Sequence, residues 1–207
     1  MRMTSGVFMQ IHEHEGKLDI NLLPGEYYAT NRPVMIRTLL GSCVSACLYD
    51  PVNRIVGMNH FLLSNRRYSQ EIPVCLSEAG KYGIHAMELL INDLLKKGAV
   101  RKNLRAKAFG GGAIYLKPGV KDNFYCVGDV NTQFIREFLA NEDIPLIAED
   151  LGGERARIIH FFSKDYSVHV KRIGKTIPRD LTMYERKYWL KMMETQEGTD
   201  VQADIWG

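Results

Sequence analysis

Residues 34–51 read Val34-Met35-Ile36-Arg37-Thr38-Leu39-Leu40-Gly41-Ser42-Cys43-Val44-Ser45-Ala46-Cys47-Leu48-Tyr49-Asp50-Pro51. Two apolar, β-prone runs, 34–40 and 44–49, flank a break of small residues at Gly41-Ser42. Asp50-Pro51 closes the second run as a turn. A third run, 54–63, carries Asn59-His60. The pattern predicts three neighbouring strands, with Tyr27-Tyr28-Ala29 as a shorter strand ahead of them.

Further out, Ile84, Met87, Ile91 and Leu94 recur at helical spacing, and Lys96-Lys97-Gly98 supplies a C-terminal stop. A strand at 104–109 runs into Gly110-Gly111-Gly112. Asp129 is placed to cap a second helix whose apolar side holds Phe134, Ile135, Phe138 and Leu139. A strand at 145–149 ends near Gly152-Gly153, and 157–162 with 166–173 form a hairpin turning at Lys164-Asp165. Strands outnumber helices and the two intermix, so the class is α/β (α+β) with a layered sheet. Residues 1–24 read as loosely ordered and 64–72 as a polar surface loop. After residue 178 the chain changes character. Leu181, Tyr184, Tyr188 and Met192 share one face of a helical extension, 178–207, which either docks on the domain or binds a partner; docking is the favoured reading.

The chain has 207 residues, enough for one domain with an extension. Hydrophobic residues at 45% and charged residues at 25% exclude general disorder. A net charge of +3 without a basic run argues against a nucleic-acid partner. No apolar stretch reaches the roughly 18 residues that span a bilayer, and residues 1–15 show no secretory core. The cytoplasm is the expected compartment. Cys43, Cys47, Cys75 and Cys126 form no CxxC and no zinc-like spacing with histidine, and disulfides are not expected there.

The chemistry concentrates at the break. A cysteine on a turn between strands can face a cleft with free backbone N–H groups beside it, which stabilise a thiolate or an oxyanion. His60, on the next predicted strand, can reach Cys43 and serve as its acid–base partner. The bland alternative is a buried turn cysteine and a structural histidine. Cys47, Cys75 and Cys126, each set among apolar neighbours, read as core, which leaves Cys43 as the most reactive thiol. The glycine runs at 110–112 and 152–153 either admit a close backbone approach or end strands; the second reading is favoured.

Thr38-Leu39-Leu40-Gly41-Ser42-Cys43-Val44, Leu48-Tyr49-Asp50-Pro51 and Asn59-His60-Phe61-Leu62-Leu63 together resemble the CheD family of chemoreceptor glutamine deamidases. The likeness continues through Tyr82-Gly83, Lys96-Lys97-Gly98-Ala99 and Ala106-Lys107-Ala108-Phe109-Gly110-Gly111. It then takes in Glu149-Asp150-Leu151-Gly152-Gly153, Arg155-Ala156-Arg157 and the strand at 168–173, so that it covers residues 25–175 in order.

The resemblance implies a layered α/β sandwich with mixed sheets, similar to the catalytic domains of glutamine-deamidating toxins, spanning residues 1–177. It implies a nucleophile at Cys43 and its histidine at His60. The family's upstream threonine falls nearest Thr38, with Arg37 as the alternative register. Ser42 and Asn59, beside the pair, are the candidate substrate contacts. No metal or cofactor is implied. The expected activity is conversion of receptor glutamine to glutamate through a thioester, with an amine in place of water giving transglutamination instead. The expected partners are the cytoplasmic helical regions of methyl-accepting chemotaxis receptors and, in addition, a CheC-type phosphatase. A non-catalytic chemotaxis adaptor on the same fold is the alternative.

Overall fold

A computed structural model describes residues 9–14, 17–63, 73–113 and 127–174, together with 183, 185, 187, 188 and 190. In chain order the elements are β1 (Gln10–His14), β2 (Lys17–Leu22), β3 (Tyr27–Thr30), β4 (Val34–Leu40), β5 (Val44–Asp50) and β6 (Ile55–Asn59). There follow α1 (Glu78–Lys96), β7 (Arg105–Gly110), α2 (Val127–Asn141), β8 (Leu146–Leu151), β9 (Arg157–Phe162) and β10 (Val168–Arg172). Two five-stranded sheets form, in the orders β1-β2-β4-β9-β10 and β3-β6-β5-β7-β8. Both are mixed: β2 runs parallel to β4 and β7 parallel to β8, and the other pairs are antiparallel. The layered α+β expectation holds.

Hydrophobic alternation sets the layers. In β5, Val44, Ala46 and Leu48 face a core shared with Met87 and Leu90 of α1 and Phe134 and Phe138 of α2. Cys43, Cys47 and Tyr49 face a second core, between the sheets, with Ile20, Ile36, Met58, Ile159 and Phe161. Both faces of β5 are therefore covered, and the whole strand is buried. In β4 only every second residue, Val34, Ile36, Thr38 and Leu40, is buried. Its other side chains lie on the outer face of its sheet.

Three expectations change. The strand at 34–40 does not neighbour the one at 44–49: β4 pairs with β2 and β9, and β5 with β6 and β7. The break at Gly41–Cys43 is thus a crossover from one sheet to the other. A three-residue link between β-prone runs permits a hairpin or a change of sheet, and local pattern does not separate them. Residues 10–14 and 17–22 are strands rather than loose chain, and Leu18, Ile20 and Leu22 alternate into the inter-sheet core. Helix α2 begins at Val127, so Asp129 lies in its first turn instead of capping it; its charge still faces the favourable end of the dipole. The hairpin of β9 and β10 and the helix at 78–96 form as expected, with Ser77 capping α1 by accepting from Gly80 N–H. The loop at 64–72, Cys126, Leu181, Tyr184 and Met192 lie outside the described residues.

Candidate active site

The crossover sets Cys43 at one end of the inter-sheet layer. Val44 and Phe61 exchange both backbone hydrogen bonds, at 3.0 and 2.9 Å, and this pairing draws His60 alongside the crossover. The backbone of His60 is clamped on both sides: its N–H donates to Glu26 O at 2.9 Å, and its carbonyl accepts from Gly25 N–H at 2.7 Å. Thr38, three positions before the crossover in β4, turns into the same layer. Cys43, His60 and Thr38 are all buried.

Thr38 Oγ1 donates its single hydrogen to Leu22 O at 2.7 Å. It also lies 2.7 Å from His60 Nδ1. With its hydrogen spent, the hydroxyl can only accept there, so Nδ1 carries the proton of the neutral ring. The lone pair is then on Nε2, which has no hydrogen-bond partner among the described residues. Arg37 occupies the other face of β4, with its Nε 3.8 Å from Asp19. Alternation along the strand therefore selects Thr38 over Arg37 as the neighbour of His60.

Ser42 and Asn59 part company. Ser42 contributes its N–H and its hydroxyl to a polar cradle beside Cys43. Asn59 is taken up by the fold: Oδ1 accepts from Ala46 N–H at 2.9 Å, and Nδ2 reaches Ala86 O and Met87 Sδ at 3.4 and 3.3 Å. Its expected substrate contact is not supported, because both ends of its amide are engaged in holding β5 to α1. The glycine run does more than end β7. Gly111 N–H donates to Cys43 O at 2.7 Å and Gly112 N–H to Gly41 O at 2.8 Å. At Gly110, φ +111°, a Cβ would overlap the Cys43 carbonyl oxygen. The glycines let this backbone lie against the crossover and fix its shape.

Two further residues complete the site. Asn131 of α2 is fully buried; its Nδ2 donates to Ser42 O at 2.8 Å and its Oδ1 accepts from Leu63 N–H at 2.8 Å. Glu185 reaches in from the C-terminal helical residues. It accepts from Gly41 N–H at 2.8 Å, Ser42 N–H at 3.0 Å, Ser42 Oγ at 2.8 Å and Cys43 N–H at 3.4 Å. Each carried a legible signal, a polar residue at an apolar helical position. Asn131 precedes Phe134, Ile135 and Phe138 at spacings of 3, 4 and 7, and Glu185 lies between Leu181 and Tyr188 at spacings of 4 and 3.

Electrostatics follow from burial and from Glu185. The Cys43 thiol is held well above its ordinary pKa, first by burial and then by the adjacent Glu185 carboxylate. Burial pushes His60 down to about 3. Both groups are therefore neutral in this state. The ranking of thiols also changes: Cys43 and Cys47 are buried, whereas Cys75 is partly exposed, its thiol pushed up to about 11 by burial and Glu137. Cys43 is thus not the most accessible thiol of the described three. Cys43 Sγ, a His60 ring nitrogen and a Glu185 oxygen lie within 4.8 Å of one another. These would be the ligands of any metal here, but the Glu185 oxygens are already engaged by three backbone N–H groups.

Comparison with known proteins bears on the chain as a whole. Residues 63–172 match the family model described as CheD chemotactic sensory transduction. A probable chemoreceptor glutamine deamidase CheD 1 of Geobacter sulfurreducens is 50% identical over 192 residues, covering 93% of this chain and 96% of the relative. A probable chemoreceptor glutamine deamidase CheD 2 of Shewanella oneidensis is 43% identical, covering 88% and 92%. A probable chemoreceptor glutamine deamidase CheD of Herminiimonas arsenicoxydans is 43% identical, covering 87% and 86%. Among solved structures, the Bacillus licheniformis hypothetical protein YfiH is similar at a TM-score of 0.33 and 16% identity, over 59% of this chain and 49% of that one. That likeness is too loose to bear on fold or function. The near full-length matches carry the stretch from Thr38 to His60 within them, and on these grounds the chain belongs to the CheD family.

Proposed function

We propose that this protein is a cysteine-dependent protein-glutamine deamidase, which converts glutamine side chains of chemotaxis receptors to glutamate and releases ammonia. The observation that carries the reading is the Thr38–His60 contact at 2.7 Å, with the threonine hydrogen committed to Leu22 O. It fixes the ring tautomer that leaves Nε2 free to take a proton. The names of the relatives point to the same substrate class.

In this reading Nε2 of His60 takes the Cys43 thiol proton and Sγ adds to the glutamine Cδ. The N–H groups of Gly41, Ser42 and Cys43 hold the developing oxyanion. His60 returns the proton to the departing nitrogen, and ammonia leaves a thioester on Cys43. His60 then activates water, whose oxygen becomes part of the glutamate carboxylate as the thiol is regenerated. Thr38 keeps the ring oriented through both halves. The partners proposed with this activity are receptor cytoplasmic helices and a CheC-type phosphatase, in the cytoplasm. No helix among the described residues is long and apolar enough to cross a membrane.

A non-catalytic adaptor on the same fold is the second reading. It needs no buried thiol beside an oriented imidazole, which is why the enzyme is preferred. Incubation with receptor cytoplasmic fragments, followed by peptide mass spectrometry, tests the choice. Glutamine-to-glutamate conversion that is lost in Cys43→Ala is expected. Folded protein, with residue 185 also substituted, that converts no receptor glutamine would favour the adaptor.

A further inference from the structure

Glu185 belongs to no part of the mechanism above, yet its carboxylate sits where that mechanism needs an oxyanion. It comes from 142 to 144 residues away in sequence to accept from the N–H groups of Cys43 and Gly41. The same carboxylate lies within 4.8 Å of Cys43 Sγ and of a His60 ring nitrogen. Met183, Glu185, Lys187, Tyr188 and Leu190 are helical. Glu185 is fully buried, while Met183, Lys187 and Leu190 are exposed, so one face of this helix enters the site. Tyr188, almost one turn on, packs into the inter-sheet core. Its ring fills the space that a side chain at Gly25 would need, and Gly25 is the residue that clamps the His60 carbonyl.

We propose that the C-terminal helix is the resident ligand of the site, bound as an intramolecular product analogue through Glu185 and silencing Cys43 until it is displaced. The inference rests on the deamidase reading. A glutamate presented by a helix is chemically the product of deamidating a glutamine presented by a receptor helix. The cradle of Gly41, Ser42 and Cys43 N–H groups with Ser42 Oγ is then the subsite for the side-chain terminus. Glu185 acts twice: it fills the oxyanion position, and its negative charge beside Sγ opposes ionisation of the thiol. A receptor helix must take the place of the chain's own, so the measured activity is that of the fraction of molecules in which the helix has left.

Two full-length variants test this. In Glu185→Ala, limiting iodoacetamide should label Cys43 faster relative to Cys75, whose neighbouring carboxylate is Glu137 and which serves as the internal standard. Receptor fragments should be converted faster by a similar factor, about 10-fold or more if the wild-type site is open a tenth of the time or less. In Glu185→Gln the new amide can still accept from Gly41 and Cys43 N–H and loses its acceptor for Ser42 N–H, so it seats more weakly and in substrate form. Its nitrogen should leave as ammonia, with water supplying the oxygen. Peptide mass spectrometry should find the acid at position 185 when Cys43 is present and the amide when the protein also carries Cys43→Ala. An amide retained at 185 by protein that converts receptor glutamines would overturn the product-analogue assignment. So would Cys43 labelling that neither variant accelerates. By contrast, accelerated labelling with every receptor glutamine untouched would leave the helix in its seat and remove the deamidase reading.

Discussion

At the scale of single residues, the site depends on where one hydrogen goes. Thr38 Oγ1 spends it on Leu22 O and so must accept from His60 Nδ1. Thr38→Val removes that acceptor and the hydroxyl that donates to Leu22 O. Turnover should fall by roughly 10²-fold through loss of ring orientation, with little change in KM, while Thr38→Ser recovers most of it; a Val variant at wild-type turnover would show that the ring is held by other means. His60→Ala should lower turnover by roughly 10² to 10⁴, measured as ammonia release from receptor fragments. Cys43→Ala should abolish release, at a stability cost of about 1 kcal/mol for the lost buried thiol. Cys47→Ala should keep release at a similar stability cost, because Cys47 faces the same inter-sheet core but takes no part in the proposed chemistry. Cys43 and His60 come together as expected; their residue types and spacing left a structural reading open, and the ordered likeness to the CheD family is what singled the pair out. Asn59 misled, because nearness in sequence to His60 does not say which way an amide points. Glu185 escaped notice because its partners lie more than 140 residues away.

Secondary-structure elements were legible where alternation or helical spacing is local, and illegible where the choice of partner strand is not. Residues 34–40 and 44–49 fold as the strands expected, but their sheet membership follows from β2 and β9 packing on β4, and from β6 and β7 flanking β5. The same non-local logic places Asp50 at the end of β5. Its carboxylate accepts from Val52 and Asn53 N–H at 2.9 and 3.0 Å, from Asn53 Nδ2 at 2.7 Å and from Val100 N–H at 2.8 Å. It ties the β5–β6 turn to the chain following α1. These bonds outweigh desolvation and hold the Asp50 pKa down at about 2, below its ordinary value of 3.8. A carboxylate whose folded pKa is depressed contributes stability above its unfolded pKa and loses it as pH falls through the folded one. Asp50→Asn keeps one acceptor and loses the charge, and should cost about 2 kcal/mol at pH 7. The gap between the urea midpoints of the variant and wild type should narrow between pH 4 and 2, the window those two values define. A gap that persists unchanged to pH 2 would mean that shape, not charge, carries the contribution.

For the molecule as a whole, the question is what the two sheets and their helices demand of a substrate. The reacting groups lie at one end of the inter-sheet layer, and no buried group among the described residues around them suits a free amino acid. Arg157 is the only cation among the buried described residues. It is engaged with Asp150 at 2.9 Å and with the Gly152 carbonyl, where it links β9 of one sheet to β8 of the other. Among the described residues no buried cation therefore remains for an α-carboxylate, and no buried anion except Glu185 lies at the site for an α-ammonium. Orientation of the amide must come from contacts that a long partner makes outside the cradle, as Tyr188 does for Glu185. Binding energy from remote parts of a substrate is what holds a reacting group in place, and truncation forfeits it. Free glutamine and short flexible peptides should therefore be deamidated with kcat/KM lower than that of an intact receptor fragment by roughly 10³-fold or more. The comparison is best made in Glu185→Ala, where displacement of the chain's own helix no longer separates long substrates from short ones. Ammonia release measured on both substrates at matched concentrations decides it. Comparable efficiencies would mean that the cradle and the Cys43–His60 pair alone position the amide, and that the helix carrying it contributes nothing to recognition.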